Sequence, residues 1–193
     1  MAVHIDTSFV VKAPLADAWA LLTDIPRIAP CMPGAELTEV ADADIYRGVV
    51  RVKIGPVALV FQGEARMQEV DATTHSARMA TRATDTKGRG GAQSDIRFTL
   101  ETQGDATLVK IGTDLTLTGA VAQYGRGAGL IKEVANQFAQ QFAANLEKRI
   151  LAGDAATNEP AKPLSGIGLA VNASKAAVGR MFSGKEGKED DSK

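Results

Sequence analysis

Proton transfer or nucleophilic attack in this chain would fall to His4 and His75, its two histidines, or to Cys31, its single cysteine. Neither histidine has an obvious serine, cysteine or carboxylate partner in its local sequence, so each reads as an exposed or capped histidine on a strand. Cys31 stands in the proline turn Pro30-Cys31-Met32-Pro33 with no recognisable base beside it, and a buried structural role is expected. Glu64, Asp95 and Asp114 fall at outward positions of strand-like stretches. No His-Glu-x-x-His or Cys-x-x-Cys spacing points to a metal. A nucleophile and base assembled from distant segments would escape this reading. The sequence gives no positive sign of one, and a non-catalytic protein is expected.

Phosphate chemistry has one candidate, Gly125-Arg126-Gly127-Ala128-Gly129, which opens a helical stretch. No Gly-Lys-Ser/Thr follows, and a dinucleotide fingerprint needs a parallel βαβ unit that this pattern lacks. The glycines suit close backbone approach, or a flexible lip beside a cavity. A second cluster, Gly88-Arg89-Gly90-Gly91, lies in a loop between strands. Together they give a candidate lip of Gly90, Gly91, Tyr124 and Gly127, with plain turn chemistry as the alternative.

The elements that must position these residues follow from periodicity. Val3, Ile5, Thr7, Phe9 and Val11 alternate as a half-buried strand does. Pro14 suits a first helical turn, after which Ala18, Trp19, Leu21 and Leu22 give a short helix an apolar face. Asp24-Ile25-Pro26 starts a second short helix or turn. Alternation then returns in residues 46–54, 57–67, 75–84, 96–100 and 109–117, punctuated by Gly55-Pro56 and Gly104-Asp105. Hairpin-linked alternation of this kind predicts an antiparallel meander with one wet and one covered face, read as six strands, of which these five runs are the ones that alternate. From Ala120 the period changes. Leu130, Val134, Phe138, Phe142, Leu146 and Ile150 recur every fourth residue, which predicts a long amphipathic helix of roughly 20 residues, ended by Gly153.

This order specifies an α+β fold: a seven-stranded curved antiparallel sheet, two short helices after the first strand, and one long C-terminal helix over the apolar face. The inner face mixes large residues with Gly48, Gly63, Ala65, Ala77, Thr81 and Ala83. Small residues on a face too broad for one helix predict an apolar cavity. Its lining would be Phe61, Met79, Phe98 and Leu117 from the sheet and Val134, Phe138 and Phe142 from the helix. The alternative is a fully packed core with the small residues under the helix.

Residues 1–152 thus form the domain, followed by a polar linker at 153–163. In the segment 164–183, Leu164, Ile167, Val171, Val178 and Phe182 gather on one side of a helical wheel. An apolar yet glycine-rich segment suits folding on a membrane interface or in a partner's groove. A disordered tail, or a helix packed on its own domain, is the alternative. Residues 184–193 read as disordered.

The formal net charge of −1 gives no electrostatic case for nucleic acid. The N-terminus lacks the basic and apolar regions of a signal peptide, and no stretch approaches the ~18 apolar residues of a span, so a cytoplasmic location is expected.

Several segments together resemble the carbon monoxide dehydrogenase G-subunit family, a branch of the START-like (birch-pollen-allergen-like) helix-grip superfamily. They are Ala18-Trp19-Ala20-Leu21-Leu22-Thr23-Asp24, Pro30-Cys31-Met32-Pro33-Gly34-Ala35, residues 49–61 with Gly63, and Leu117-Thr118-Gly119-Ala120-Val121-Ala122. Phe138 to Leu146 fits the family's closing helix, so the likeness covers about residues 3–151. The resemblance implies a hydrophobic tunnel between sheet and helix, and association with a molybdenum-containing carbon monoxide dehydrogenase or related molybdenum hydroxylase. It also implies a role in bringing that soluble enzyme to the inner face of the cell membrane and its quinone pool. The implied guest is a menaquinone, a ubiquinone or a lipid, held without covalent attachment. Members of the wider superfamily carry lipids, sterols and polyketides, and a minority are enzymes.

Overall fold

The computed structural model describes residues 1–54, 57–124 and 128–152. Seven strands run in the order β1-β7-β6-β5-β4-β3-β2, all antiparallel. They are β1 (Ala2–Val11), β2 (Ala35–Asp42), β3 (Ile45–Ile54), β4 (Val57–Asp71), β5 (Ser76–Asp85), β6 (Gly90–Gln103) and β7 (Ala106–Gly119). Between β1 and β2 stand α1 (Leu15–Leu22), α2 (Ile25–Ile28) and a 3-10 turn (Ala29–Cys31). After β7 come α3 (Val121–Tyr124) and the long α4 (Ala128–Ala152). The predicted seven-stranded sheet, the two early helices and the closing helix are all present.

Local chemistry explains the boundaries. Asp24 caps α2 by accepting a hydrogen bond from the Arg27 amide at 3.1 Å, and Pro26 occupies the first turn, where it sacrifices no bond. Gly104, at φ 61°, makes the two-residue turn between β6 and β7. Gly63 is required for another reason. A Cβ there would lie 2.1 Å from the Arg82 carbonyl oxygen, so β4 and β5 approach more closely than a side chain allows. Gly48 stands beside it in register, where a Cβ would meet the Glu36 carbonyl oxygen at 2.6 Å. The sheet closes up along this line because no side chain separates its strands.

Two departures from the periodicity reading have plain causes. The pattern put no residues in β2, because nearly all of β2 is exposed at the sheet edge and carries no buried alternation. On α4, Leu130 is 46% exposed and Ile131 is buried in its place. Steps of four residues run ~40° past each full turn, so a strict every-fourth stripe drifts off the packed face.

The interior consists of two separate cores. One gathers Phe9, Val11, Leu21, Leu22, Val109, Phe142 and Leu146 where α1, α2 and the C-terminal half of α4 meet the sheet. The other gathers Val3, Ile5, Leu59, Phe61, Leu117, Val121 and Ile131 near α3 and the start of α4. Helix α4 makes its main contacts with β1 and the 3-10 turn.

A candidate ligand cleft on the concave face

A belt of inward-facing residues belongs to neither core. Thr7, Met79, Thr81, Ser94, Ile96 and Thr113 from the sheet, with Val134 and Phe138 from α4, are only half-buried although the sheet alternation or the helix face turns them inward. Inward groups that retain exposure face open space. The register fixes its floor. Leu117, Ala92, Ala83, Gly63, Gly48 and Leu37 lie side by side from β7 to β2. The next row holds Leu115, Ser94, Thr81, Ala65 and Tyr46.

Over β2–β5 this floor forms a cleft of about 210 Å³, lined by Ala35, Leu37, Gly48, Phe61, Gly63, Ala65, Thr81 and Ala83 among others, with Ala29 of the 3-10 turn at its side. The floor is deep because its rows are glycine and alanine. Hollows of about 460 and 480 Å³ lie on the convex face, but Glu64, Arg66, Arg82 and Asp95 rim the first and Asp6, Arg97 and Lys110 the second. Charged rims do not suit an apolar guest. Glu36, Arg47 and Glu64 also border the smaller concave cleft, but they hold the outward phase of their strands, and its inward lining is apolar apart from Tyr46 and Thr81, which suits such a guest.

The seven residues predicted to line a tunnel divide. Phe61 lines the cleft. Met79 sits in the half-buried belt between Met67 and Ile96, and Val134 and Phe138 stand in it on the helix. Leu117 is packed into the second core. Phe142 is packed into the first, edge-on to Phe9 with ring centroids 5.8 Å apart, and Phe98 packs against the same core. The structure therefore gives Phe61 both a place in the second core and an edge on the cleft, and commits Leu117, Phe142 and Phe98 to core packing.

The predicted lip is paired into the sheet at Gly90 and Gly91. Gly90 and Gly91 pair in register with Gly119 and Thr118, and the Gly91 amide donates to Thr118 Oγ1 at 3.1 Å. A Cβ on Gly90 would lie 2.0 Å from the Thr118 carbonyl oxygen, so close approach of strands, not mobility, calls for this glycine. Tyr124 ends α3, while Gly127 lies outside the described residues. Leu164, Ile167, Val171, Val178 and Phe182 also lie outside them, as do the linker and tail.

Beside the cleft stands a clamp that periodicity alone does not reveal. Asp85, whose side chain is fully buried, accepts from Arg89 Nε and Nη2 at 2.8 Å each, from the Lys87 amide at 3.1 Å and from the Val60 amide at 3.4 Å. Arg89 Nη2 also donates to the Ala58 carbonyl, and the Val121 amide to the Arg89 carbonyl. One ion pair thus joins β4, the β5–β6 turn and α3. The guanidinium and the converging amides hold the Asp85 carboxyl far below the usual carboxylate range. A signal for it exists in the sequence: Asp85 keeps the inward phase of Thr81 and Ala83, and an acid on an apolar face needs a partner.

The chemistry-bearing residues are placed away from the cleft. Glu64, Asp95 and Asp114 lie on the convex face, as their alternation predicted. There His4 bonds Asp114 through Nδ1 at 2.7 Å and Asp6 through Nε2 at 3.1 Å, which corrects the expectation that it lacks a carboxylate partner. Asp6 is two residues along the same strand face, a spacing that brings the two side chains together. Those carboxylates, Asp114 first, raise the imidazole above its usual value. Arg97 links Asp114 to Asp95, and Arg78 joins Asp95 to Glu69, giving a cross-strand charge ladder from β1 to β4. The direct opposites Arg78–Arg97 and Asp95–Asp114 carry like charges, and the diagonal pairs offset that repulsion. His75 packs edge-on against Trp19 at 5.4 Å. Cys31 is buried, as expected, and burial pushes its thiol up. Among the described residues no His, Cys, Asp and Glu cluster could hold a metal ion, and no helix is long and apolar enough to cross a membrane.

The fold is shared with solved proteins of very different sequence. A conserved protein from Geobacillus kaustophilus superposes with a TM-score of 0.67 at 16% identity, covering 78% of this chain and 95% of its own. The Zhui aromatase/cyclase from a Streptomyces species gives 0.55 at 12% identity over 78% and 96% of the two chains. A START superfamily protein from Mycobacterium smegmatis gives 0.52 at 17% identity over 77% and 97%. At such identities these likenesses establish the START-like helix-grip fold alone. No curated protein matches the sequence. The family model for the carbon monoxide dehydrogenase G-subunit, CoxG, matches residues 8–151, which spans the whole sheet from late β1 together with α4. The chain belongs to the CoxG family of carbon monoxide dehydrogenase.

Proposed function

We propose that this protein is a non-catalytic accessory subunit of a molybdenum-containing carbon monoxide dehydrogenase or related molybdenum hydroxylase. It would hold a quinone or a lipid in the concave cleft. Through residues 164–183 it would bring the enzyme to the inner face of the cell membrane, for electron transfer to the quinone pool. The observation that carries this reading is the cleft over β2–β5, floored by glycine and alanine, with a belt of half-buried inward residues nearby that belongs to neither core. A protein whose only task was docking has no need to leave its interior unfilled, since close packing is the stable default.

A cyclase-type enzyme would need an acid or base inside the cleft. Thr81 is the hydroxyl on its inward lining, and hydroxyls do not titrate near neutral pH; Glu36, Arg47 and Glu64 border it from the outward phase of their strands, with Glu36 paired to Arg51 and Arg47 to Glu39. Asp85 is engaged by Arg89, and the Tyr46 hydroxyl donates to the Ala43 carbonyl.

Lipid extraction of the protein purified from its own host, followed by mass spectrometry, tests the reading. A reproducible quinone or lipid at near one per chain is expected. Reproducible absence of any guest, with tight binding to the dehydrogenase retained, leaves an assembly factor instead. The tail is tested separately. Removing residues 164–193 leaves a folded domain that no longer sediments with anionic phospholipid vesicles; unchanged sedimentation refutes the tail's part in the proposal.

A further inference from the structure

Thr81 lines the cleft, and Ser94 beside it on the sheet completes a pair of hydroxyls whose bonding capacity is not used up. Thr81 on β5 and Ser94 on β6 are register partners, both turned inward, with Oγ1 and Oγ 2.7 Å apart. Two hydroxyls bring two O–H donors and four acceptor lone pairs, and the bond between them consumes one of each. Neither makes another hydrogen bond with the described residues. One O–H therefore remains, on a floor whose neighbouring side chains at Phe61, Ala65 and Ala83 are wholly apolar.

We propose that the Thr81–Ser94 pair is a head-group anchor, donating one hydrogen bond to a neutral carbonyl-type oxygen on an otherwise apolar guest. This rests on the ligand-holding reading above. The donor is shared between two oxygens 2.7 Å apart, so either can supply it as the guest sits slightly higher or lower. A charged head is disfavoured. The cations near it are already paired, Arg47 with Glu39 and Arg89 with Asp85, and an unpaired carboxylate or ammonium in an apolar cleft carries a large desolvation cost. A neutral acceptor needs a single donor. A quinone ring and a lipid ester both offer that chemistry.

The test uses the full chain and three probes: a prenylated naphthoquinone, the prenylated naphthalene of the same chain length, and a fatty-acid methyl ester. The wild-type protein is expected to prefer the naphthoquinone or the ester over the hydrocarbon by about three- to tenfold, the worth of one neutral hydrogen bond. Thr81→Val with Ser94→Ala should abolish that preference while hydrocarbon affinity is unchanged. Thr81→Ser, which keeps the hydroxyl, should retain it and controls for disruption of the sheet. Preference for the naphthoquinone identifies a quinone site, and preference for the ester a lipid site. A preference that survives the double substitution, or is absent from the wild type while the hydrocarbon binds, overturns the anchor alone. Failure of all three probes to bind overturns the ligand-holding reading and the anchor with it.

Discussion

The two ends of the interior are built from one alternating pattern and reach opposite outcomes. Where α1, α2 and the C-terminal half of α4 converge, the inward positions hold Phe9, Val11, Leu100 and Val109, and the space is solid. Over β3–β5 the same phase holds Gly48, Gly63, Ala65 and Ala83, the 3-10 turn borders the space at Ala29, and a cleft remains. Alternation decides which way a residue faces. Residue volume, together with what covers it, decides whether facing inward means being packed.

Substitutions can break this contrast, beginning with the filled end. Leu146 is fully buried there, so Leu146→Ala should cost about 2 to 5 kcal/mol in urea unfolding, with ligand binding intact at a temperature where the variant stays folded. A cost below about 1 kcal/mol would mean that this end, too, is loosely packed.

A smaller loss is expected from the clamp on the cleft wall. Asp85→Asn removes the Asp85 charge from Arg89, which is itself 26% exposed, and a fall in Tm on the order of 5 °C is expected at neutral pH. The pH dependence has a definite sign. The folded state holds the Asp85 carboxyl below its unfolded value of 3.8, so the clamp stabilises fully above that value and weakens as acid protonates it. The wild type should therefore lose more stability than the variant between neutral pH and about pH 3, as thermal melts would read. Equal losses would mean that the pair contributes nothing.

The smallest effect on stability should come from filling the cleft. Ala65→Phe places a ring over the small-residue floor, where there is room for it, and should shift stability by under about 1 kcal/mol. Binding of a prenylated naphthoquinone should nevertheless fall at least tenfold. A variant that binds normally would move the guest elsewhere, and one that unfolds would show that the cleft is as tightly built as the other end.

Much of this is legible in the sequence because its signals are local. The period-two runs from Tyr46 onward and the change of period after Ala120 fix the sheet, the closing helix and their order. The excess of glycine and alanine on one face predicts a hollow. What stays hidden depends on neighbours brought together by register. That Leu117 and Phe142 fill cores while Phe61 meets the cleft is decided by which residues oppose them, and no spacing within a strand encodes that. His4 and Asp114 are 110 positions apart and become partners only through the pairing of β1 with β7. Ser94 is inconspicuous because a lone serine in a strand looks like any wet-face residue until Thr81 is placed opposite it.

Strand order also sets a timetable for the chain as it is made. Each of β2 to β7 pairs with a strand adjacent in sequence, but β1 bonds only to β7. Strand β1 thus has no sheet partner until Thr107 to Thr116 exist, about a hundred residues later. Helix α4 leans chiefly on β1 and is seated after it. The strand made ahead of the other six in this sheet is among the last to be placed, and until then the growing meander keeps its apolar side open to passing chaperones, to neighbours and to oily molecules alike.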